Sequence, residues 1–115
     1  KVYSVTKQTA TVTALTHNES AVAVSLLNNN RTIGIAEGGL GNLLSMSFIP
    51  DDEIIELNNL IVTSGLEELI PSGLVVGLVN AVLSDNQSPF QEAIVEPMTH
   101  PARHTYVLII TQDVL

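Results

Sequence analysis

Apolar and polar side chains alternate with a period of two along most of this chain, while the 3.6-residue spacing of an amphipathic helix is scarce. The clearest alternation lies at 21–27, where Val22, Val24 and Leu26 share one face and the smaller Ala23 and Ser25 the other. That pattern predicts a strand with one buried face. Further strands are predicted at Val2–Val5, 9–16, 32–36, 43–49, 54–57, Leu60–Thr63, 74–83, 90–95 and 106–111. In 43–49 the pattern puts Leu44, Met46 and Phe48 on a common face. In 90–95 it sets Phe90, Glu92 and Ile94 against Gln91, Ala93 and Val95.

Turn residues punctuate these runs. Asn28, Asn29, Asn30 and Arg31 form one break, Glu37, Gly38 and Gly39 another, and Pro50 with Asp51, Asp52 and Glu53 a third, because Gly, Asn, Asp and Pro favour the backbone angles that turns require. The 74–83 run is almost continuously apolar. Its valines, with Gly77 inside it, point to one long bent strand in preference to a helix. Between Pro97 and His104 there is room for a single helical turn near the C-terminus. Short strands at this spacing predict an all-β fold, a small antiparallel β-barrel in one domain spanning 1–115.

Composition sharpens that picture. The chain is 45% hydrophobic but 3% aromatic, so its core is expected to be aliphatic and β-branched. Twelve acidic against four basic residues give a formal charge of −8, which repels nucleic acid and anionic membrane surfaces. Without cysteine, neither a disulfide framework nor a thiolate metal site is available. No apolar run reaches the roughly 18–20 residues needed to span a bilayer.

Candidate chemistry is sparse. His100 and His104 stand four apart, as in helical metal sites, but Pro101 separates them and no carboxylate stands at helical spacing beside them, so a surface pair is the better reading. Ser64 precedes a glycine, yet Val62 occupies the position where a nucleophile elbow needs its first glycine, and a loop serine bonding local backbone is expected. Glu67 and Glu68 point opposite ways in extended chain and read as a solvated loop tip; Asp51, Asp52 and Glu53 read likewise, with weak cation binding as their alternative. Gly34, Gly38, Gly39 and Gly41 crowd one window, but Asn42 and Leu43 follow where a phosphate loop requires Lys and Ser or Thr. Sequons occur at Asn18, Asn30 and Asn86 and matter only in a eukaryotic secretory protein. No cofactor motif emerges.

The stretch VTSGLEELIPSGLVVGLV at 62–79 carries more information. Its Thr63-Ser64-Gly65-Leu66, Pro71-x-Gly73 and Val76-Gly77-x-Val79 resemble the signature segment of the rod-shape-determining protein MreC family. Downstream, VEPMTHPARHTYVLII at 95–110 is similar to the family's ending, through Val95, Glu96, Pro97, Arg103, Tyr106, Val107 and Leu108. Asn58-Asn59 stand where the family has Gly-Asp, Glu67-Glu68 where it carries Gly-Gly, and Pro101 and His104 replace leucines.

The resemblance implies the second extracytoplasmic β-domain of a bacterial cell-shape protein, with a membrane anchor, a coiled coil and a first β-domain outside this chain. It implies a non-catalytic scaffold on the periplasmic side of the membrane. Such a scaffold organises the elongation machinery of the peptidoglycan wall, binds its elongation-specific transpeptidase and other shape-complex membrane proteins, and self-associates in the full-length protein. No cofactor or metal is implied. Gly65, Pro71, Gly73 and Gly77 would then set the turning backbone, and Leu66, Leu69 and Ile70 would supply partner contact if exposed; the competing reading buries at least two of those three in the barrel's own core. Two other functions stay open on the residues, a β-domain of an envelope transport adaptor and a hydrolase using Ser64, His100 or His104.

Overall fold

The computed structural model describes residues 1–27, 33–67, 69–99, 103 and 106–111. Eight strands form among them: β1 (Val2–Val5), β2 (Ala10–Val12), β3 (Ala21–Leu26), β4 (Gly34–Leu40), β5 (Leu43–Pro50), β6 (Leu60–Thr63), β7 (Val75–Ser84) and β8 (Phe90–Pro97). β1 and β2 make a separate antiparallel hairpin. The other six close into an antiparallel barrel in the order β3-β4-β5-β8-β7-β6, with β6 pairing back onto β3. The predicted all-β barrel is therefore the observed fold, and no α-helix occurs among the described residues.

The barrel is filled by the aliphatic set its composition anticipates. Val22, Val24, Ile33, Ala36, Leu44, Met46, Ile49, Ile61, Val76, Val79, Ala93 and Val95 form one buried cluster. Each of the larger side chains contributes about 1.5–3 kcal/mol by leaving water. Each of the six barrel strands contributes to this interior, by strict alternation in β3 and β8, and β1 and β2 contribute nothing to it. In β3 the opposite face is covered as well, since Ala23 and Ser25 are buried.

Several predicted boundaries are corrected by backbone irregularities. β4 does not stop at Glu37 but continues through Gly38 and Gly39 to Leu40, with a register shift against β5. Gly38 is the residue the crossing needs: a methyl there would run into the carbonyl of His17 and lie 2.6 Å from that of Leu15. The crossing segment also explains why the strand predicted over 9–16 shortens to β2. After Val12 the chain turns, with His17 N–H bonded to the Ala14 carbonyl and Gly39 N–H to that of Thr16.

In β5 the predicted common face of Leu44, Met46 and Phe48 breaks. Met46 pairs with Ala93 and Ile49 with Gln91, so two β5 residues oppose one on β8, which is a β-bulge. Phe48 takes a left-handed φ of 61° there, its ring turns outward, and Ile49 fills the interior instead.

Two predicted strands are absent. The 54–57 segment is a turn, with Ile54 and Leu57 exposed and Ile55 packed on the core. Its backbone is satisfied by Asn59, whose Oδ1 accepts from Glu56 N–H at 2.8 Å, and Asn58 adopts a φ of 69° that Asn tolerates. Residues 106–111 form no strand, and Tyr106 and Leu108 are exposed. The barrel closes on β3 and β6 without them and leaves no free edge for another strand. The helical turn expected between Pro97 and His104 falls largely on 100–102 and 104, outside the described residues.

Candidate functional site

The 64–74 connection between β6 and β7 is held by a small set of hydrogen bonds that begins inside the barrel wall. Thr63, the last residue of β6, is buried. Its Oγ1 donates to the Pro71 carbonyl at 2.6 Å and accepts from Leu74 N–H at 2.9 Å. Its backbone accepts from Gly73 N–H at 2.9 Å and donates to the Leu74 carbonyl at 2.8 Å. One β-branched residue thus ties both ends of the loop together. Gly65 and Gly73 hold φ of 80° and 84°, the left-handed conformation that favours glycine. Gly65 also lies against Ser72, where an added methyl would come within 2.7 Å of the serine Cβ.

A second anchor reaches the neighbouring strand. Ser64 N–H donates to the Ala23 carbonyl at 3.1 Å, extending the β3–β6 ladder by one rung. The Glu67 carboxylate then accepts from Ala23 N–H at 2.9 Å. The side chain supplies the acceptor that the departing β6 no longer provides. Glu67 was expected as part of a solvated loop tip; it is half-buried and fastens the loop to β3. Nothing in the sequence distinguishes it from the adjacent Glu68, which lies outside the described residues. The loop is closed further by Ile70 N–H bonding to the Glu67 carbonyl at 3.2 Å.

With its backbone so constrained, the loop presents two leucines to solvent: Leu66 is 71% exposed and Leu69 75% exposed. Ile70 differs from them, being half-buried and packed against the barrel core. Gly77 is not in the turn. It lies within β7, where a methyl would collide with the backbone carbonyl of Glu96 on β8, so glycine there permits close approach of two strands.

The other candidate residues are dispersed. Ser64 Oγ accepts from Leu66 N–H at 3.2 Å, a local turn bond of the kind expected for it. His100 and His104 fall outside the described residues. No group of three or more potential metal ligands occurs among the described residues, the Asp51, Asp52 and Glu53 turn included. That turn is pinned by a buried glutamine, whose Gln91 Nε2 donates to the carbonyls of Pro50 at 3.0 Å and Glu53 at 2.6 Å.

Fold and site together define a small closed antiparallel barrel that projects a hydrogen-bonded, leucine-bearing loop. The chain belongs to the MreC family: the model of the rod shape-determining protein MreC barrel core matches residues 1–111. The chain is 29% identical over 110 residues to the cell shape-determining protein MreC of Haemophilus influenzae and 26% identical to that of Escherichia coli. These matches cover 96% of this chain but 31% and 30% of those relatives, so it spans about a third of their length. Among solved structures it is similar to MreC from Pseudomonas aeruginosa, with a TM-score of 0.66 and 27% identity over 77% of this chain and 59% of that one. A complex between penicillin-binding protein PBP2 and MreC from Helicobacter pylori shares the fold at a TM-score of 0.65 and 21% identity, over 77% of this chain and 55% of that one. Family membership favours the shape-protein reading over the transport adaptor and the hydrolase.

Proposed function

We propose that this barrel is a non-catalytic scaffold module of a bacterial cell-shape protein, working on the outer side of the cytoplasmic membrane within the machinery that elongates the peptidoglycan wall. Its role is to offer a rigid β surface, centred on the 65–73 loop, to an elongation transpeptidase or to another copy of the protein. An anchor beyond this chain would hold it at the membrane. The observation that carries the reading is the pairing of exposure with constraint: Leu66 and Leu69 stand in solvent on a backbone fixed by Thr63 and Glu67. Apolar side chains on a pre-ordered loop bind with little further loss of conformational entropy, which is the usual character of an interface anchor. The Helicobacter pylori complex supports a penicillin-binding protein as the class of partner.

A pull-down from the full-length protein tests this. Leu66→Asp with Leu69→Asp should leave the circular dichroism spectrum and melting temperature unchanged and abolish capture of the transpeptidase. Capture at the unaltered level by the folded double variant removes the loop from the interface. Ile70 is left intact because it packs on the core, where a carboxylate would unfold the barrel and obscure the result.

A further inference from the structure

Both phenylalanines of the chain lie outside its aliphatic core. Phe48 on β5 and Phe90 on β8 are 57% and 45% exposed, and their rings meet edge to face with centroids 5.8 Å apart and planes at 79°. They form the floor of a groove of about 500 Å³ lined also by Glu37, Leu83, Asp85 and Glu92. These residues come from β4, β5, β8 and β7, four consecutive neighbours in the barrel, and from the β7–β8 turn. The groove is thus part of the barrel wall and its turn.

Two features mark this surface. The first is the conformation of Phe48: a bulky side chain at positive φ is unfavourable, and backbone strain of this kind clusters at binding and switch regions. The bulge containing Phe48 turns an aromatic ring outward that regular alternation would have buried. The second is charge. Glu37, Asp85 and Glu92 carry three carboxylates around the rings, and the described lining includes no basic residue. Arginine fits both features, since its guanidinium stacks on aromatic faces and pairs with carboxylates while its stem covers apolar surface.

We infer that the Phe48–Phe90 groove is a docking site for a basic protein segment, in which an arginine flanked by aliphatic side chains sits on the aromatic pair between Glu37, Asp85 and Glu92. A second copy of this chain is the poorer occupant, because at a net charge of −8 it would bring further acid to an acidic face. The groove meets β7 at Leu83 and Ser84, the end of the strand opposite to the one that joins the 65–73 loop. No residue of 65–73 lines the groove, so the inference does not depend on the loop.

The test uses the whole chain and three labelled peptides in which leucine alternates with arginine, glutamine or glutamate, followed by fluorescence anisotropy and by amide chemical shifts. The arginine peptide should bind, shift amides of β5 and β8 around the groove, and weaken as salt is raised. Phe48→Asn should weaken it at least tenfold while leaving the fold as stable or more so, because Asn accepts a left-handed φ. Asp85→Lys with Glu92→Lys should abolish binding, whereas Glu56→Lys with Glu96→Lys, the same change of charge away from the groove, should alter it less than threefold. Equal binding of the glutamine peptide, an unchanged affinity in Phe48→Asn, or equal loss in the two charge variants would overturn the proposal. So would sedimentation showing that the groove joins two copies of the chain.

Discussion

Thr63→Val isolates what fastens the 65–73 loop. Valine keeps the shape and β-branching of threonine but removes Oγ1, and with it the bonds to the Pro71 carbonyl at 2.6 Å and from Leu74 N–H at 2.9 Å. Each such bond has a net worth of about 1 kcal/mol, and groups left without partners at a half-buried site keep their desolvation penalty. The added methyl returns less than about 0.8 kcal/mol. The chain should lose about 1.5–2 kcal/mol in urea denaturation, with the melting temperature falling by roughly 6–10 °C. Local exchange is the sharper measurement. The Leu74 amide should exchange faster by roughly 10- to 30-fold, the factor corresponding to about 1.4–2 kcal/mol at room temperature, while amides in mid-β8 change only with global stability. Thr63→Ser keeps the hydroxyl and should leave the Leu74 amide protected even though it loses a buried methyl. Protection in Thr63→Val equal to that in Thr63→Ser, or a stability within about 0.5 kcal/mol of the parent, would refute the assignment of the loop's anchorage to this side chain.

Removing the Glu67 carboxylate by Glu67→Ala should cost about 1–2 kcal/mol, because Ala23 N–H then lacks its acceptor, and Glu67→Gln should restore most of it; denaturation of the two variants side by side checks the order. Gly77→Ala should destabilise by about 2–3 kcal/mol, since the methyl meets backbone of Glu96 and Pro97 that cannot give way as a side chain would, and the amides along the β7–β8 ladder should report the separation. Met46→Ala, at a fully buried position, should cost about 2–5 kcal/mol with an unchanged denaturant slope, and a loss below 1 kcal/mol would mean that the barrel interior collapses around the space.

The alternation read from the sequence carries over wherever the ladder is regular. Val22 and Val24 point inward on β3, and Gln91, Ala93 and Val95 on β8, as the period of two requires. It fails where backbone geometry resets the phase. Phe48 breaks the pattern because one extra residue in β5 flips every later side chain to the opposite face. The out-of-phase Ile49 behind Met46 is the signal that betrays it. The 54–57 segment and the 106–111 segment have strand-like composition, but strands need partners, and the closed six-stranded barrel offers them no open edge. Within the loop, Gly65 and Gly73 were legible from their residue type alone. The anchoring roles of Thr63 and Glu67 were not, because each depends on a partner remote along the chain: Ala23 lies 44 residues from Glu67, and Pro71 and Leu74 lie 8 and 11 from Thr63.

The barrel's closing seam has a mechanical corollary. Among the described residues β3 and β6 are registered through Val24↔Thr63, Ser25↔Val62 and Leu26↔Ile61, with a bond from Leu27 N–H to the Leu60 carbonyl at one end and the loop's two ties to Ala23 at the other. A partner tugging on Leu66 or Leu69 would load this three-pair zipper from its Ala23 end. Traction there would be shared by every bond of the seam at once or would undo them in order from Glu67 inward, making the domain stiff under light pull and prone to spring open along one edge when that pull is exceeded.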